Sequence, residues 1–547
     1  MTLPVTDSPS AAESTPAPRK SGLIRSSAIY SALTMVSRFL GLARDLVITS
    51  RLGASFAGDA YYTALTFPNL FRRMFAEGAF AAAFVPEYSK RLAGAGDADA
   101  DRYAADALAT VAAFTVALTV LCQLTMPWLM MVYSYGFLAN PEKFKLAVIL
   151  TQITMPYLPC VVIASLFAGV LTARGRFIVY GFYPAIMNVV MLLAVLPQHD
   201  PVRAAWAASW GALVSGVMQA GVCWWGANKA GARIHPRHLR FTPEMIALAR
   251  RMGPGVLASS AVQINLFISA MLASQVPGMR VWLNVAERFY QLPLSLVGVA
   301  IGVALLPRLS TALQQKDHDD AQGAMDQGIV FGLALSLPAA AALMGMPGYL
   351  VDGLFAWGRF THQDAAHSAK LLFHYGWGVP AFVLIKILQP AFFARGDTRT
   401  PMVYSMISVG LNVALGVSLF FTLGFQGIAL ATSAASWITV LQMVVRLKAR
   451  EIWTPSARAT GKMIRVALAS LGMGLAVAVA TYFRTVLESP FHGERVGSLI
   501  SVLAVALAGA LIYVVLLFAF GGVTPSELRT AFKRRKGDAV APAADLS

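Results

Sequence analysis

Five arginines lie within long apolar runs of this sequence, where a charged side chain is expensive. Arg38 and Arg44, followed by Asp45, are in the segment SRFLGLARD of a run over residues 27–49. A charge at the centre of a bilayer costs about 2.5–3.5 kcal/mol on insertion scales, so these groups must face water, protein or a ligand. The other three arginines are in the segments NLFRRMF and NVAERFYQ: Arg72, Arg73 and Arg288.

Helical spacing in the first run predicts which groups share a face. Arg38 and Asp45 are seven residues apart, as are Ser37 and Arg44. Each pair therefore lies on one helix face, two turns apart, and Gly41 leaves room between them. Asp45 is accordingly expected to orient or release the two arginines.

Carboxylates in the same runs are too few to neutralise five arginines. Besides Asp45, Glu77 follows Arg73 at the i,i+4 spacing, and Glu287 precedes an arginine, so each can form an ion pair. Two positive charges remain in excess. Guanidinium groups bind phosphate oxygens in a bidentate manner, so we predict a cationic cavity that takes a phosphate-bearing anion.

Four other polar residues fall in or beside the apolar runs. Lys386, in LIKILQP, fits equally a functional role and an extended side chain that reaches the membrane surface. Asp59, in the turn GASFAGDAYY, fits a turn or cap as well as a supporting role near the cavity. Asn188 and Asn412 are single amides within runs, and we expect each to bond a neighbouring helix.

Composition places the whole chain in a membrane. Of its 547 residues, 57% are hydrophobic and only 13% charged, with a mean hydropathy of +0.62. Ordinary soluble domains carry about 25% charged residues. The three cysteines show no metal or redox spacing, and no metal or cofactor is expected. We predict an all-α polytopic membrane protein.

Fourteen apolar segments are each long enough to be a candidate span. They cover residues 27–49, 60–87, 105–133, 147–172, 178–196, 205–226, 252–274, 282–306, 327–348, 372–393, 401–420, 426–445, 466–483 and 498–520. If the N-terminus is cytoplasmic, the loops and tails on that side hold 29 Lys and Arg, against 9 on the other side. This bias predicts that both ends are cytoplasmic. The net charge of +17 is then topological, and nucleic acid is not expected as a partner.

An internal repeat relates the two halves of the chain. Pro86 and Pro307 are 221 residues apart in similar contexts, and the TARGRF segment at Arg174 is echoed by FARGDT at Arg395, again 221 residues on. Six spans separate equivalent points, so both halves run in the same direction through the membrane and a pseudo-twofold axis follows the membrane normal. We expect the cavity between the halves, lined by spans one, two, seven and eight.

The repeat divides the chain into six parts. We expect a disordered cytoplasmic tail at 1–26, a first half of six spans at 27–226 and a basic cytoplasmic linker at 227–251. A second half of six spans follows at 252–445. The last two spans, with their preceding linker, occupy 446–520, and a basic cytoplasmic tail occupies 521–547.

Three segments carry a resemblance to a known family. SRFLGLARDLVI, DAYYTALTFPNLFRRMFAEGAFAAAFVPEY and AERFYQLPLSLVGVAIGVALLPRLS are similar to motifs of the MurJ (MviN) family of lipid II flippases. The resemblance extends over about residues 24–530. It implies the multidrug/oligosaccharidyl-lipid/polysaccharide exporter superfamily and a bacterial inner-membrane location. It also implies a substrate that consists of a disaccharide-pentapeptide on undecaprenyl pyrophosphate.

The same resemblance implies roles for particular residues. The family's essential cavity arginines fall here on four positions: Arg38, Arg44, Arg72 and Arg288. Arg73 and Glu77 match its second-span motif, whereas Glu287 stands where the family has Asp. The last two spans help to form a groove for the lipid tail. Membrane lipids and the cell-wall synthesis machinery are expected partners, and the chain is expected to act as a monomer.

Alternating access is the expected mechanism, in which the arginines capture the headgroup and the two halves then rock. Three alternatives stay open: an exporter of another polyprenyl-pyrophosphate-linked oligosaccharide, a cation-coupled multidrug exporter, and a scaffold without transport. An enzyme acting on polyprenyl phosphates would need a base or metal cluster, but the histidines lie mainly in loops without ligand spacing. No phosphate-binding loop is present, because ATGKMIR lacks the upstream glycine, so ATP hydrolysis is not expected.

The coupling ion is not defined by the sequence. Spans seven and eleven contain no carboxylate, and only polar groups such as Asn265, Ser269 and Asn412 are available there. A carboxylate-based cation site in the second half is therefore not expected, and the membrane potential or another ion gradient is the expected energy source.

Overall fold

The computed structural model describes residues 20–75, 79–235, 239–240, 242–300, 305–315, 317–489 and 495–522. Every regular element in this part of the chain is helical. Glu77, Gly302 and most of both tails lie outside the described residues. The first helix begins at Lys20, within the predicted cytoplasmic tail of residues 1–26. The proline-rich composition stops at Pro18, and no further proline occurs before the end of α1 at Leu52.

In the described part of the first half there are eight α-helices. They are α1 (Lys20–Leu52), α2 (Phe56–Phe75), α3 (Ala79–Gly94), α4 (Asp97–Tyr133), α5 (Pro141–Thr154), α6 (Tyr157–Ala173), α7 (Phe177–Val195) and α8 (Pro201–Lys229). A short 3₁₀ helix, Tyr135–Ala139, joins α4 to α5.

Nine helices are described in the second half, which has gaps at 301–304 and 316. They are α9 (Pro243–Ala273), α10 (Met279–Ala300), α11 (Leu306–Gln314), α12 (His318–Gly345), α13 (Pro347–Phe355), α14 (His362–Gly376), α15 (Val379–Phe393), α16 (Arg399–Leu423) and α17 (Gln426–Ala449). The C-terminal helices are α18 (Ala457–Tyr482), α19 (Arg484–Glu488) and α20 (Arg495–Ala519). Each of the fourteen predicted segments falls on one of these helices or on a consecutive pair.

Local sequence determines where several helices begin. Asn140 and Asp200 are N-caps whose side chains accept a backbone N–H three residues on, and each is followed by a proline at the first helical position. Thr361 and Asp364 form a capping box at the start of α14. These residues satisfy N–H groups that have no partner within the helix.

Two predicted spans are broken at equivalent positions. The fourth span divides into α5 and α6 at Met155 and Pro156, and the tenth divides into α14 and α15 at Trp377 and Gly378. Pro156 has no N–H for the helix ladder, which accounts for the first break. The two breaks are about 221 residues apart, the spacing of the sequence repeat.

The two halves use the same helix pairs for packing. In the first half α1 packs on α7, α2 on α5, and α7 on α8; in the second half α9 packs on α16, α10 on α14, and α16 on α17. The C-terminal helices lie against the second half, where α18 packs on α12 and α20 packs on α18 and α13. The Tyr513 hydroxyl donates to the Ala334 carbonyl at 2.7 Å and fixes α20 to α12.

Eight helical stretches in the described residues are long and apolar enough to cross a membrane. The broken pairs α5–α6 and α14–α15 each count as one of them. Together with the all-helical architecture, this confirms the coarse prediction of an α-helical polytopic membrane protein.

Candidate functional site

Asp45 is the centre of a buried charged cluster. Its neighbour Arg44 donates from Nε and Nη2 to Asp45 Oδ1 at 2.9 and 2.7 Å. The Arg288 Nε lies 2.6 Å from Asp45 Oδ2. Arg44 and Asp45 are 7% and 3% exposed. One carboxylate on α1 therefore joins an arginine of the first half to an arginine of the second half.

Asp45 does not bind Arg38, with which it shares a helix face. Seven residues of α-helix separate two side-chain positions by about 10.5 Å along the axis, which is too far for an ion pair. Asp45 instead binds Arg44 beside it and Arg288 from α10. Within the described residues, Arg38 makes no hydrogen bond or ion pair with another side chain.

A cavity of about 400 Å³ opens beside this cluster. Its walls come from α1, α7 and α10, so it lies between the two halves. Polar and charged residues that line it are Ser37, Arg38, Arg44, Asp45, Tyr183, Asn188, Arg288, Gln291 and Ser295. Three arginines against one carboxylate leave two positive charges on its lining, so the lining attracts an anion.

Among the described residues, the first, fifth and eighth spans line this cavity, and the second and seventh spans do not. Arg72 donates from Nε to Asn69 Oδ1 at 2.9 Å within α2, and Arg73 is exposed. Arg44 lies eight residues before the end of α1, and Arg72 lies sixteen residues after the start of α2. At 1.5 Å per residue, Arg72 lies roughly 12 Å beyond the level of Arg44.

Glu287 does not form the ion pair that its position predicted. Its neighbour Arg288 points to Asp45, and no cation of the described residues lies within 4 Å of the Glu287 carboxylate. Arg73 and Arg288 are the two arginines whose charges act on Glu287. The predicted partner of Arg73, Glu77, lies outside the described residues.

Lys386 lies near the cavity without lining it. Its side chain is exposed, and Arg38 is the charged neighbour that acts on it. The charge of Arg38 on α1 therefore acts on Lys386 of α15.

Cavity residues on α7 and α10 were missed by the sequence reasoning. Gln291 and Ser295 follow Arg288 at three and seven residues, so they continue its helix face. That spacing was the available signal. Asn188 was predicted only to bond another helix, and it does, because its Nδ2 donates to the Ser37 carbonyl at 2.9 Å.

Asp59 has a larger role than a turn or a cap. It is fully buried and accepts from Lys143 Nζ at 2.5 Å and from the Gly278 N–H at 2.8 Å. Arg280, two residues further, donates to the Tyr133 carbonyl at 3.1 Å. We call these four residues, Asp59, Lys143, Gly278 and Arg280, the latch. The latch connects the two halves near the turn between the C-terminal end of α1 and the N-terminal end of α2.

The second half contains a polar cluster without a carboxylate. Asn412 donates from Nδ2 to Asn265 Oδ1 at 2.9 Å, and the Thr432 hydroxyl lies 3.3 Å from Asn412 Oδ1. The prediction that Asn412 bonds another helix is confirmed. No group of three or more potential metal ligands is found among the described residues.

Comparisons with known proteins agree with this architecture. A family model described as lipid II flippase MurJ matches residues 48–506. A probable lipid II flippase MurJ of Rhizobium tropici is 35% identical over 96% of this chain and 98% of its own length. The lipid II flippase MurJ of Burkholderia cenocepacia is 32% identical over 79% of this chain and 85% of its own.

Two solved structures show the fold. A lipid II flippase MurJ in an inward closed conformation superposes with a TM-score of 0.74 at 22% identity, over 93% of this chain and 99% of that one. An inward-facing multidrug resistance MATE transporter of the MOP superfamily gives 0.63 at 15% identity, over 78% and 98%. Fold and cavity thus define an α-helical polytopic membrane protein with a cationic cavity between its two halves. Within that class, the chain belongs to the MurJ family of lipid II flippases.

Proposed function

We propose that this chain moves lipid II from the cytoplasmic to the periplasmic leaflet of the bacterial inner membrane, for peptidoglycan synthesis. Lipid II is the substrate that its relatives are named for. The observation that carries the proposal is the cavity between the two halves, with two uncompensated positive charges on its lining. A diphosphate linked to sugars is an anion whose oxygens match planar guanidinium donors.

Asp45 acts as a competitor for the phosphates. In the unliganded protein it holds Arg44 at 2.7 Å and Arg288 at 2.6 Å. An entering diphosphate takes over these donors, and their return to Asp45 lowers the cost of releasing it. The carboxylate thereby supplies a partner for the buried Arg44 and the partly exposed Arg288, and removing the partner of a buried charge is strongly destabilising.

Arg38 binds first in this scheme. It is exposed, carries no partner among the described residues, and has the like-charged Lys386 as its neighbour. Two adjacent cations at the cavity edge attract an anionic headgroup before it reaches Arg44 and Arg288. Gln291 and Ser295 offer hydrogen bonds to sugar or peptide groups further along the same wall.

The latch defines which side is closed. Asp59 and Arg280 bind across the two halves at one end of the helices. With both termini in the cytoplasm, that end faces the periplasm, so the headgroup enters from the cytoplasmic side. Opening the latch while closing the cytoplasmic side completes one translocation step.

The same proposal includes an architecture of fourteen spans. Six spans at 27–226 and six at 252–445 are related by a pseudo-twofold axis along the membrane normal, and the spans within 446–520 form the groove for the lipid tail. The equivalent helix pairs and the equivalent breaks in the fourth and tenth spans support this arrangement. The protein works as a monomer beside the cell-wall synthesis machinery.

A cation-coupled multidrug exporter is the main alternative, because such transporters share the fold. A cavity with excess arginine repels cationic drugs. Uptake of a fluorescent cation into vesicles that contain the protein would distinguish the two, and we expect none. Another polyprenyl-pyrophosphate-linked oligosaccharide would satisfy the same arginines, so purified lipids with different sugars must be compared.

The decisive experiment is depletion of the protein in its host, combined with a leaflet-specific assay for lipid II. Wild type, Arg44→Ala and Arg288→Ala are supplied in trans at matched membrane levels. We expect only wild type to restore translocation. Arg446→Ala, at the exposed cytoplasmic end of α17, is the matched control and should behave as wild type. Normal translocation by both cavity variants would refute the proposal.

A further inference from the structure

A second cavity, of about 760 Å³, opens on the outer side of the first half. Its walls come from α4, α6 and α8, and one end is closed by the segment between α8 and α9. Every residue that lines it is apolar, including Phe167, Trp224 and Leu239. We call it the outer groove. Its volume is within the range of pockets that hold small organic molecules.

The outer groove is separate from the arginine cavity. The two share no lining residue, because one is built on α1, α7 and α10 and the other on α4, α6 and α8. Trp224 is 50% and Leu239 is 45% exposed. In a membrane protein, an open apolar groove of this kind faces lipid.

Three arginines lie near lining residues of the groove in the chain, in segments that are expected on the cytoplasmic side. Arg102 is two turns before the lining residue Ala109 on the same face of α4. Arg233 and Arg240 adjoin the lining residues at 234 and 239. All three are exposed, and none of their side chains bonds another described residue. Lys229 adds a fourth cation, with its Nζ 4.9 Å from the centre of a tryptophan ring at the end of α8.

Two nearby acidic groups are occupied by other partners, and the third, Asp106 on α4, is one buried carboxylate against the four cations of the rim. Asp101 accepts from Arg174 and from the Tyr88 hydroxyl, each at 2.9 Å. Asp99 pairs with Arg91 at 3.2 Å. The cationic rim and the apolar groove therefore form one amphipathic surface.

We propose that the outer groove binds a phospholipid with a net negative headgroup from the cytoplasmic leaflet. One acyl chain fills the apolar walls, and the headgroup phosphate meets Arg102, Arg233 and Arg240. Ile234 and Leu239 belong to the segment that leads from the first half to α9, so the lipid braces the connection between the two halves. This inference does not rest on the identity of the transported substrate.

Charge selectivity is the first test. The full-length protein in detergent micelles is titrated with phosphatidylglycerol or phosphatidylcholine that carries a brominated acyl chain, and tryptophan quenching is recorded. Trp224 lines the groove, so the part of the quenching that is lost in Trp224→Phe reports lipid bound in the groove. We expect phosphatidylglycerol to bind more tightly. Arg102→Gln and Arg240→Gln should each weaken that binding roughly fivefold, as expected for one basic residue near an anionic lipid surface.

The matched control is Arg446→Gln with Lys448→Gln, which removes two exposed cations at the cytoplasmic end of α17. It should leave the affinity unchanged. Equal binding of both lipids by wild type, or an equal loss in the control, would overturn the anionic selectivity.

A filled groove is the second test. A Cβ added at Gly221 meets no heavy atom within 4 Å, so Gly221→Leu places its side chain in the groove without disturbing the packing. We expect the groove signal to fall at least tenfold in apparent affinity. Gly410→Leu, at an exposed position of α16 that is equally open, is the control. Unchanged binding in Gly221→Leu, or displacement of phosphatidylglycerol by an equimolar polyprenyl phosphate, would refute the proposed occupant.

Discussion

The latch gives the sharpest test of how buried charge holds the two halves. Asp59 is fully buried, Lys143 is almost so, and their atoms Oδ2 and Nζ are 2.5 Å apart. Removing one partner of a buried ion pair leaves an uncompensated charge and costs about 3–5 kcal/mol. Asp59→Asn and Lys143→Met should therefore each destabilise the protein by that amount.

The double variant separates charge from packing. Asp59→Asn with Lys143→Met removes both charges, and the asparagine oxygen still accepts from the Gly278 N–H. We expect its stability to lie within about 1 kcal/mol of wild type, because replacing both members of a buried pair is often neutral. The two single effects should then be strongly non-additive.

Thermal unfolding of the detergent-purified variants is the measurement. For a folding unit of about 200 residues, each kcal/mol shifts Tm by roughly 2–4 °C, so each single variant should lose roughly 6 °C or more. The reasoning is refuted if the single variants melt with wild type, or if the double variant melts at the sum of their shifts.

Four further outcomes follow from the structure. Asp45→Asn should retain binding of undecaprenyl pyrophosphate but slow translocation, because Arg44 and Arg288 then have no carboxylate to bind when the diphosphate leaves. Loss of lipid binding in a co-purification assay would contradict this. Glu87→Gln and Arg251→Gln should each change translocation less than fivefold, because this pair at 3.0 Å is exposed on the arginine side and such pairs contribute about 0–1 kcal/mol. Replacing Na⁺ by K⁺ in proteoliposomes should leave the translocation rate unchanged, because the described amide cluster of the second half has no carboxylate. Asp397→Asn should lower Tm at pH 7, and the difference in Tm from wild type should shrink as the pH falls from 4 towards 2. The Thr400 N–H and hydroxyl, with an arginine, lower the pKa of Asp397 to about 2. The stabilisation by the Asp397 carboxylate is therefore complete above the ordinary pKa of an aspartate and is lost below the lowered pKa.

Part of the site could be read from the sequence. Arg44 and Arg288 were identified because a charged side chain inside an apolar run is costly. The repeat placed their spans, the first and the eighth, at the expected cavity between the two halves. The structure brings both to one carboxylate. Gln291 and Ser295 were equally available from their spacing to Arg288, but uncharged polar residues are common in spans and gave no comparable signal.

Other features depended on distances between helices. Helical spacing placed Asp45 and Arg38 on one face of α1, but two side chains two turns apart are not in contact. Asp45 instead binds Arg44 beside it and Arg288 across the cavity. Asp59 could not be assigned from its own segment, because its partners are 84 and 219 residues away in the chain. The outer groove was not predictable either, since three helices and a linker build it.

The sequence by itself determined that the chain is an α-helical membrane protein with an excess of positive charge among its spans. Hydropathy and charge are properties of residues in order along the chain, and a bilayer acts on each span separately. Only the tertiary structure decided which of those charges meet. Ion pairing depends on separations of a few ångströms, and those separations are set by how α1, α7 and α10 pack around the cavity.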